Sequence, residues 1–218
     1  LKEIRQLLDS ANHLILISPR RFGKSSLVFK AVKESLRPYI SLNLQNVITV
    51  EDFASKLLRE LFRLYPLERI KHLMSHFRIV PTVSTNPITN GIEVSFQPVL
   101  NDFILIEDAF ALLEKVSHDD KQLIVILDEF QEIMSIRKGL DKQLRSIMQC
   151  QQHLNYILLG SQESMMSEIF ERKKSPFYHF GKLMHLNKIP YADFKEYIIK
   201  RLPQKYASIL EQIADDFR

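Results

Sequence analysis

Leu14-Ile15-Leu16-Ile17-Ser18-Pro19-Arg20-Arg21-Phe22-Gly23-Lys24-Ser25-Ser26 decides the fold. Its first four residues are an unbroken apolar run, the pattern of a strand buried on both faces. From Lys24 to Leu36 the spacing is helical, so the segment is a strand–loop–helix corner. Backbone N–H groups of such a loop and of the first helical turn converge on an anion, and the helix dipole favours its negative charge. Gly23 permits close backbone approach, Lys24 is placed to reach the β- and γ-phosphates of a nucleotide, and the Ser25 hydroxyl is a ligand for Mg²⁺. Ser18, Pro19, Arg20, Arg21, Phe22, Gly23, Lys24, Ser25 and Ser26 are therefore the expected phosphate-binding residues. The competing reading is a corner whose Lys and Ser merely begin a helix. Ser18 stands where the usual pattern opens with glycine; it is small enough for the turn but tolerates fewer backbone conformations.

Outward from this corner, short apolar runs alternate with helical periods. Strands are expected at Leu14–Ile17, Tyr39–Leu44, Leu123–Leu127, Tyr156–Leu159 and Leu183–Leu186. Helices are expected at Lys24–Leu36, Val50–Leu64, Glu107–Val116, Leu140–His153 and Tyr191–Arg201. That alternation predicts a parallel sheet flanked by helices. Residues 78–97 break the rhythm: Ile79–Val83 and Ile92–Phe96 alternate in polarity around a loop ending in Asn90-Gly91, which predicts an inserted β-hairpin. The chain opens at Leu1 in an amphipathic helix (Ile4, Leu7, Leu8) and closes at Arg218 in a helical stretch, and it reads as a piece of a longer protein.

The second chemical signal is Leu123–Leu127 followed by Asp128 and Glu129. A carboxylate at the carboxyl end of a buried strand can reach a Mg²⁺ held by Ser25, and the next one can polarise an attacking water as general base. Alone, such an Asp more often caps the following helix; opposite a phosphate loop it is the partner that loop needs. A third feature is Tyr156–Leu159 ending in Gly160-Ser161-Gln162, where Ser161 or Gln162 is placed to sense a γ-phosphate or simply to make a turn.

Other features point elsewhere. The chain has 218 residues, 45% of them hydrophobic, enough for one large domain with a full core. A net charge of +4 and a pI near 9.1 suit an anionic ligand without marking a dedicated nucleic-acid binder. No apolar run reaches bilayer-crossing length and no basic-then-apolar leader opens the chain, so a cytoplasmic protein without membrane association is expected. The single cysteine, Cys150, excludes an internal disulfide, and its helical spacing with Leu140, Leu144, Ile147 and Leu154 predicts a buried packing role. His72 and His76 have the i, i+4 spacing of a helical metal pair, but no acidic third ligand accompanies them. Arg172-Lys173-Lys174 reads either as a solvated loop or as an anion-binding run. Lys115 to Lys121, with Asp119 and Asp120, reads as a charged loop.

By Ile15–Leu27, Leu123–Phe130, Leu158–Ser161 and, more softly, Lys174-Ser175-Pro176-Phe177-Tyr178, the chain resembles the P-loop ATPases of the additional-strand class. Within it, the chain is most similar to archaeal and bacterial AAA-type ATPases related to STAND signalling ATPases and origin-recognition initiators. The resemblance implies a three-layer α/β P-loop NTPase with a mostly parallel sheet, the hairpin inserted, and a truncated helical C-terminal lid. Residues 1–187 would form the ATPase core and residues 188–218 the start of the lid. It also implies that the Tyr156–Leu159 strand lies between the phosphate-loop strand and the Asp128 strand. Lys24 and Ser25 would then bind phosphate and Mg²⁺, Asp128 would hold the metal, Glu129 would be the base and Ser161 the sensor. Relatives usually carry an arginine shortly after the Ser-Pro stretch; here His179-Phe180-Gly181-Lys182 stands there.

The resulting expectation is an ATPase that converts ATP to ADP and phosphate, slowly when alone, and uses nucleotide state as a conformational switch. ATP and Mg²⁺ are its expected ligands. A second copy of the chain is an expected partner, as are a protein or DNA engaged through regions beyond this chain. A non-hydrolysing nucleotide-binding scaffold and a DNA-handling module are the alternatives.

Overall fold

The computed structural model describes residues 1–10, 12–74, 78, 82–86, 91–95, 102–117 and 122–201. The chain forms two compact units, Leu1–His185 and Leu186–Arg218.

In the first unit the elements run α1 (Lys2–Asp9), β1 (Leu14–Ile17), α2 (Lys24–Ser35), β2 (Tyr39–Asn43), α3 (Val50–Leu64), α4 (Leu67–Met74), β3 (Thr82–Thr85), β4 (Ile92–Ser95), α5 (Asp102–Ser117), β5 (Leu123–Asp128), α6 (Ile133–Ile136), α7 (Leu140–Met148), β6 (Leu154–Gly160), α8 (Glu163–Phe170) and β7 (Lys182–His185). Short 3-10 turns at Leu44–Asn46 and Phe130–Glu132 follow β2 and β5. Among the described residues the second unit holds α9 (Tyr191–Arg201).

Five strands form one sheet in the order β2-β5-β6-β1-β7, and every pairing in it is parallel. β1, β5 and β6 are its interior strands and are buried almost throughout, which is why they read as continuous apolar runs. Alternate residues divide between the two faces. Ile15, Ile40, Leu42, Val125, Leu127, Tyr156 and Leu158 belong to one large cluster with Phe53 and Leu57 of α3 and Ile106 and Phe110 of α5. Leu14, Leu16, Ile124, Ile126, Ile157 and Leu159 are equally buried but point to the opposite face, where α1 and α2 pack together and bury Ile4, Leu8, Val28, Ala31 and Val32. The expected α/β layering is therefore what the chain adopts.

The hairpin exists, with boundaries that differ from the expectation. β3 is Thr82–Thr85, paired antiparallel to β4 with Thr85 opposite Ile92; Ile79, Asn90 and Phe96 lie outside the described residues. Its Val94 is buried, and β4 packs on α3. α5 begins at Asp102, five residues before the expected Glu107, while α7 stops at Met148 rather than His153 because the chain must turn to enter β6 at Leu154. That early stop overturns the expected burial of Cys150, which sits exposed in the turn after α7. The other strands match the expectation within one or two residues at each end. α4, α6 and α8 were not foreseen.

Candidate functional site

β1 and α2 are joined by the quoted loop, which lies at the carboxyl end of the sheet. Ser18 is fully buried, and its N–H donates to the Gly160 carbonyl at 3.2 Å, continuing the β1–β6 ladder one residue beyond Ile17. Serine is accommodated where a glycine was the usual residue. Two later positions need left-handed backbone: Arg21 at φ 69° and Gly23 at φ 82°. At Gly23 an added Cβ would meet nothing within 4 Å, so glycine is required there for its conformation rather than for space.

Gly23 is also the residue that caps α2, and it carries no side chain to occupy the first turn. The contrast with α3 is instructive: there the Thr49 hydroxyl accepts from Asp52 N–H at 3.1 Å. The leading N–H groups of Lys24, Ser25 and Ser26 have no earlier carbonyl within the helix to bond, so α2 keeps its positive end open to an anion. Arg20 and Arg21 are exposed nearby, and among the described residues neither makes an ion pair.

The side chains of this turn meet those following β5. Ser25 Oγ donates to Asp128 Oδ2 at 2.8 Å. Lys24, only 8% exposed, places Nζ 3.1 Å from Glu129 Oε1 and 3.9 Å from Asp128 Oδ1. Two hard oxygen ligands, a hydroxyl and a carboxylate, thus stand together beside an anion-binding helix end, which is the donor set Mg²⁺ takes alongside substrate phosphates.

Glu129 takes left-handed backbone, φ 55° and ψ 49°, just past the end of β5. Its carboxylate is gripped by four donor contacts. Lys24 holds Oε1, while Ser161 Oγ at 2.6 Å, Gln131 Nε2 at 2.7 Å and Ser161 N–H at 3.2 Å hold Oε2. Burial pushes this carboxyl up, but the hydrogen bonds from Gln131, Ser161 and Lys24, with the Lys24 charge, outweigh it and hold the acid below its ordinary value.

The structure therefore brings together Lys24, Ser25, Asp128, Glu129 and Ser161, and it separates the two polar residues after β6. Ser161 turns inward onto Glu129, whereas Gln162 is exposed and donates to Glu132 at 3.5 Å. The Tyr156–Leu159 run lies within β6, between β1 and β5. Lys182 is placed away from this chemistry. It begins β7 opposite Leu14, at the amino end of β1, while His185 pairs with Ile17; three strand steps, about 10 Å, separate it from the loop end. Gln131 escaped the sequence reading, because a glutamine two residues after an acid pair carries no local signal of burial. Of the other candidates, Lys115 lies on α5, and Arg172 pairs with Glu168 on the surface. His72 lies on α4, and His76 falls outside the described residues.

Several solved structures share this architecture. A Walker-type ATPase of Pyrococcus abyssi superposes with a TM-score of 0.63 at 19% identity, over 98% of this chain and 62% of its own. The ORC1 protein of Aeropyrum pernix, solved in complex with DNA, gives 0.57 at 14% identity over 92% of this chain and 47% of its own. Cdc6p of Pyrobaculum aerophilum gives 0.51 at 9% identity, with 92% and 48% covered. No family model matches the chain, and no curated protein does. The chain spans between about half and three-fifths of the length of these structures. What they share with it is the fold: this chain has the P-loop ATPase fold.

Proposed function

We propose that this P-loop domain binds MgATP at the carboxyl ends of β1 and β5 and hydrolyses it, using the exchange of Lys24 between Glu129 and phosphate as a switch. The observation that carries the reading is the convergence of Lys24, Ser25, Asp128, Glu129 and Ser161 at the uncapped start of α2.

In this reading the N–H groups of the loop and of Lys24 to Ser26 cradle the phosphates, and Lys24 turns from the acids to them. Ser25 and Asp128 would hold Mg²⁺, which when bound neutralises developing phosphate charge and orients the terminal group. Glu129, relieved of Lys24, accepts a proton from the attacking water, and Ser161 keeps the carboxylate aimed. Catalysis of this kind is positioning and charge stabilisation, so loss of one cation costs turnover more than binding. Ser161, bonded to Glu129, stands just before α8, so in this reading a change at Glu129 would reach that helix, and this contact is what supports the switch role. Residues 1–187 form the ATPase core in this proposal, and residues 188–218 begin a lid.

A non-hydrolysing scaffold is the second reading, favoured by the four donor contacts that weaken Glu129 as a base. A DNA partner and assembly with further copies also belong to the proposal. One structure sharing this fold was solved with DNA, which supports the first.

Thermal denaturation with and without MgATP tests the reading, since a ligand that binds only the native state raises its stability. The parent is expected to gain several degrees and Lys24→Ala to gain none. An equal gain in both removes the phosphate-loop assignment.

A further inference from the structure

Gln131 lies outside the motifs read from the sequence, yet it is completely buried against the acid pair. The left-handed backbone at Glu129 and the 3-10 turn Phe130–Glu132 fold the chain back on itself, with Glu132 N–H donating to the Glu129 carbonyl at 3.0 Å. Phe130 enters the core against Phe177 and Phe170, while the next side chain returns toward the carboxylate. Gln131 Nε2 then donates to Glu129 Oε2 at 2.7 Å.

Two further observations single out this contact. Gln131 Oε1 is buried with no hydrogen-bond partner among the described residues. The amide thus leaves its own acceptor unsatisfied while its nitrogen faces Glu129; the reverse orientation would set two oxygens face to face. The space it occupies is also kept clear from the facing strand. A Cβ added at Gly160 would lie 2.7 Å from Gln131 Oε1 and 2.3 Å from Met166 Sδ, so the glycine that ends β6 makes room for the amide.

The two oxygens of Glu129 are consequently held unequally. Among the described residues Oε2 takes three donors, Gln131 Nε2, Ser161 Oγ and Ser161 N–H, whereas Oε1 takes only Lys24. We infer that Gln131 is a positioning residue that, with Ser161, anchors Oε2 so that Oε1 is the oxygen presented to the attacking water. This rests on the proposed ATPase reading. When a triphosphate draws Lys24 away, Oε1 loses its donor and Oε2 keeps all three. The proton of the water passes to Oε1, the water oxygen bonds to the terminal phosphorus, and the bridging P–O bond breaks with its electron pair on the departing diphosphate.

The test is Gln131→Met, which keeps the length and removes the donor. Its MgATP affinity is expected to stay within about twofold of the parent, and kcat to fall about tenfold. The loss should fall on kcat and leave KM close to the parent's, as expected of a group that aims the base without shaping the phosphate site. A kcat equal to the parent's overturns the inference, and so does a fall in MgATP affinity that matches the fall in kcat. A second measurement does not depend on a stable Gln131 variant. In the parent protein at a fixed pH near neutrality, the side-chain amide ¹⁵N resonance of Gln131 should lie away from that of a solvated glutamine amide and move back toward it in Glu129→Ala, which removes the acceptor; a resonance that is the same in both proteins overturns the inference. Failure of the underlying reading looks different: the parent gains no stability from MgATP, or Glu129→Gln turns ATP over like the parent.

Discussion

Ser25 and Asp128, 103 residues apart in sequence, share a 2.8 Å hydrogen bond from Oγ to Oδ2. The bond ties the first turn of α2 to the end of β5 and sets a hydroxyl and a carboxylate where one divalent ion can bridge them. Asp128→Asn keeps the shape and removes the charge, and Ser25→Ala removes the hydroxyl. Both are expected to weaken ATP binding in the presence of Mg²⁺ by tenfold or more, while leaving the weaker Mg²⁺-free binding within about threefold. Calorimetry with and without the ion checks this. An equal loss in both conditions would show that the pair is structural.

Lys24 neutralises two carboxylates as well as awaiting phosphate. Removing it leaves Asp128 and Glu129 adjacent and uncompensated, so Lys24→Ala is expected to destabilise the nucleotide-free protein by about 2 kcal/mol. Urea denaturation of Lys24→Ala and of Lys24→Ala/Glu129→Gln checks it. The double variant should recover part of the loss, because one of the opposed charges is gone; no recovery would mean that the ion pair contributes little.

Glu129→Gln should retain ATP binding and lose turnover by about a hundredfold or more. It also carries a pH signature. The folded-state acid lies below its ordinary value, so its contribution to stability is fully present above the usual glutamate range. That contribution is lost as pH falls through the usual range toward the depressed value. The parent's acid denaturation should therefore be steeper than that of Glu129→Gln between about pH 5 and pH 3. Parallel curves would contradict the four-donor arrangement.

His13 supplies an independent pH test away from the site. Burial, with a smaller contribution from the Arg145 charge, lowers its pKa from 6.5 to about 4. The neutral ring stacks on Phe180 at 4.6 Å, and its Nδ1 accepts from Tyr156 N–H at 3.3 Å, so a proton on Nδ1 would break that bond. Between pH 6.5 and 4 the unfolded chain binds more protons than the folded one. Stability is therefore full above about 6.5 and declines by on the order of 2 kcal/mol toward pH 4. His13→Asn keeps an acceptor without titrating and should flatten this slope, even if its melting temperature is lower at pH 7. A slope unchanged from the parent's would reject the assignment.

The local part of this protein is legible in its residues. Leu14–Ile17 and Leu123–Leu127 announce interior parallel strands because burial on both faces demands apolar side chains at every position. Gly23-Lys24-Ser25 announces an anion site because left-handed backbone, a cation and a hydroxyl at a helix start are properties of adjacent residues. What depends on distant pairing is different. The register of β7 on β1 puts Lys182 at the far end of the sheet from the loop, and only the parallel ladder decides that. Cys150 follows a helical spacing, but α7 stops two residues earlier because the connection to β6 has to turn, and so the thiol is exposed. Gln131 is the clearest case. Nothing beside it in sequence distinguishes it from a solvated turn residue; the left-handed twist at Glu129 and the bare Gly160 make room for it, and Glu129 Oε2 directs its amide. Hydropathy and turn chemistry act between neighbours along the chain, and they determined the strands and the loop. Which oxygen of Glu129 is held, and by what, was decided by β6 lying beside β5, a relation between segments that no residue carries by itself.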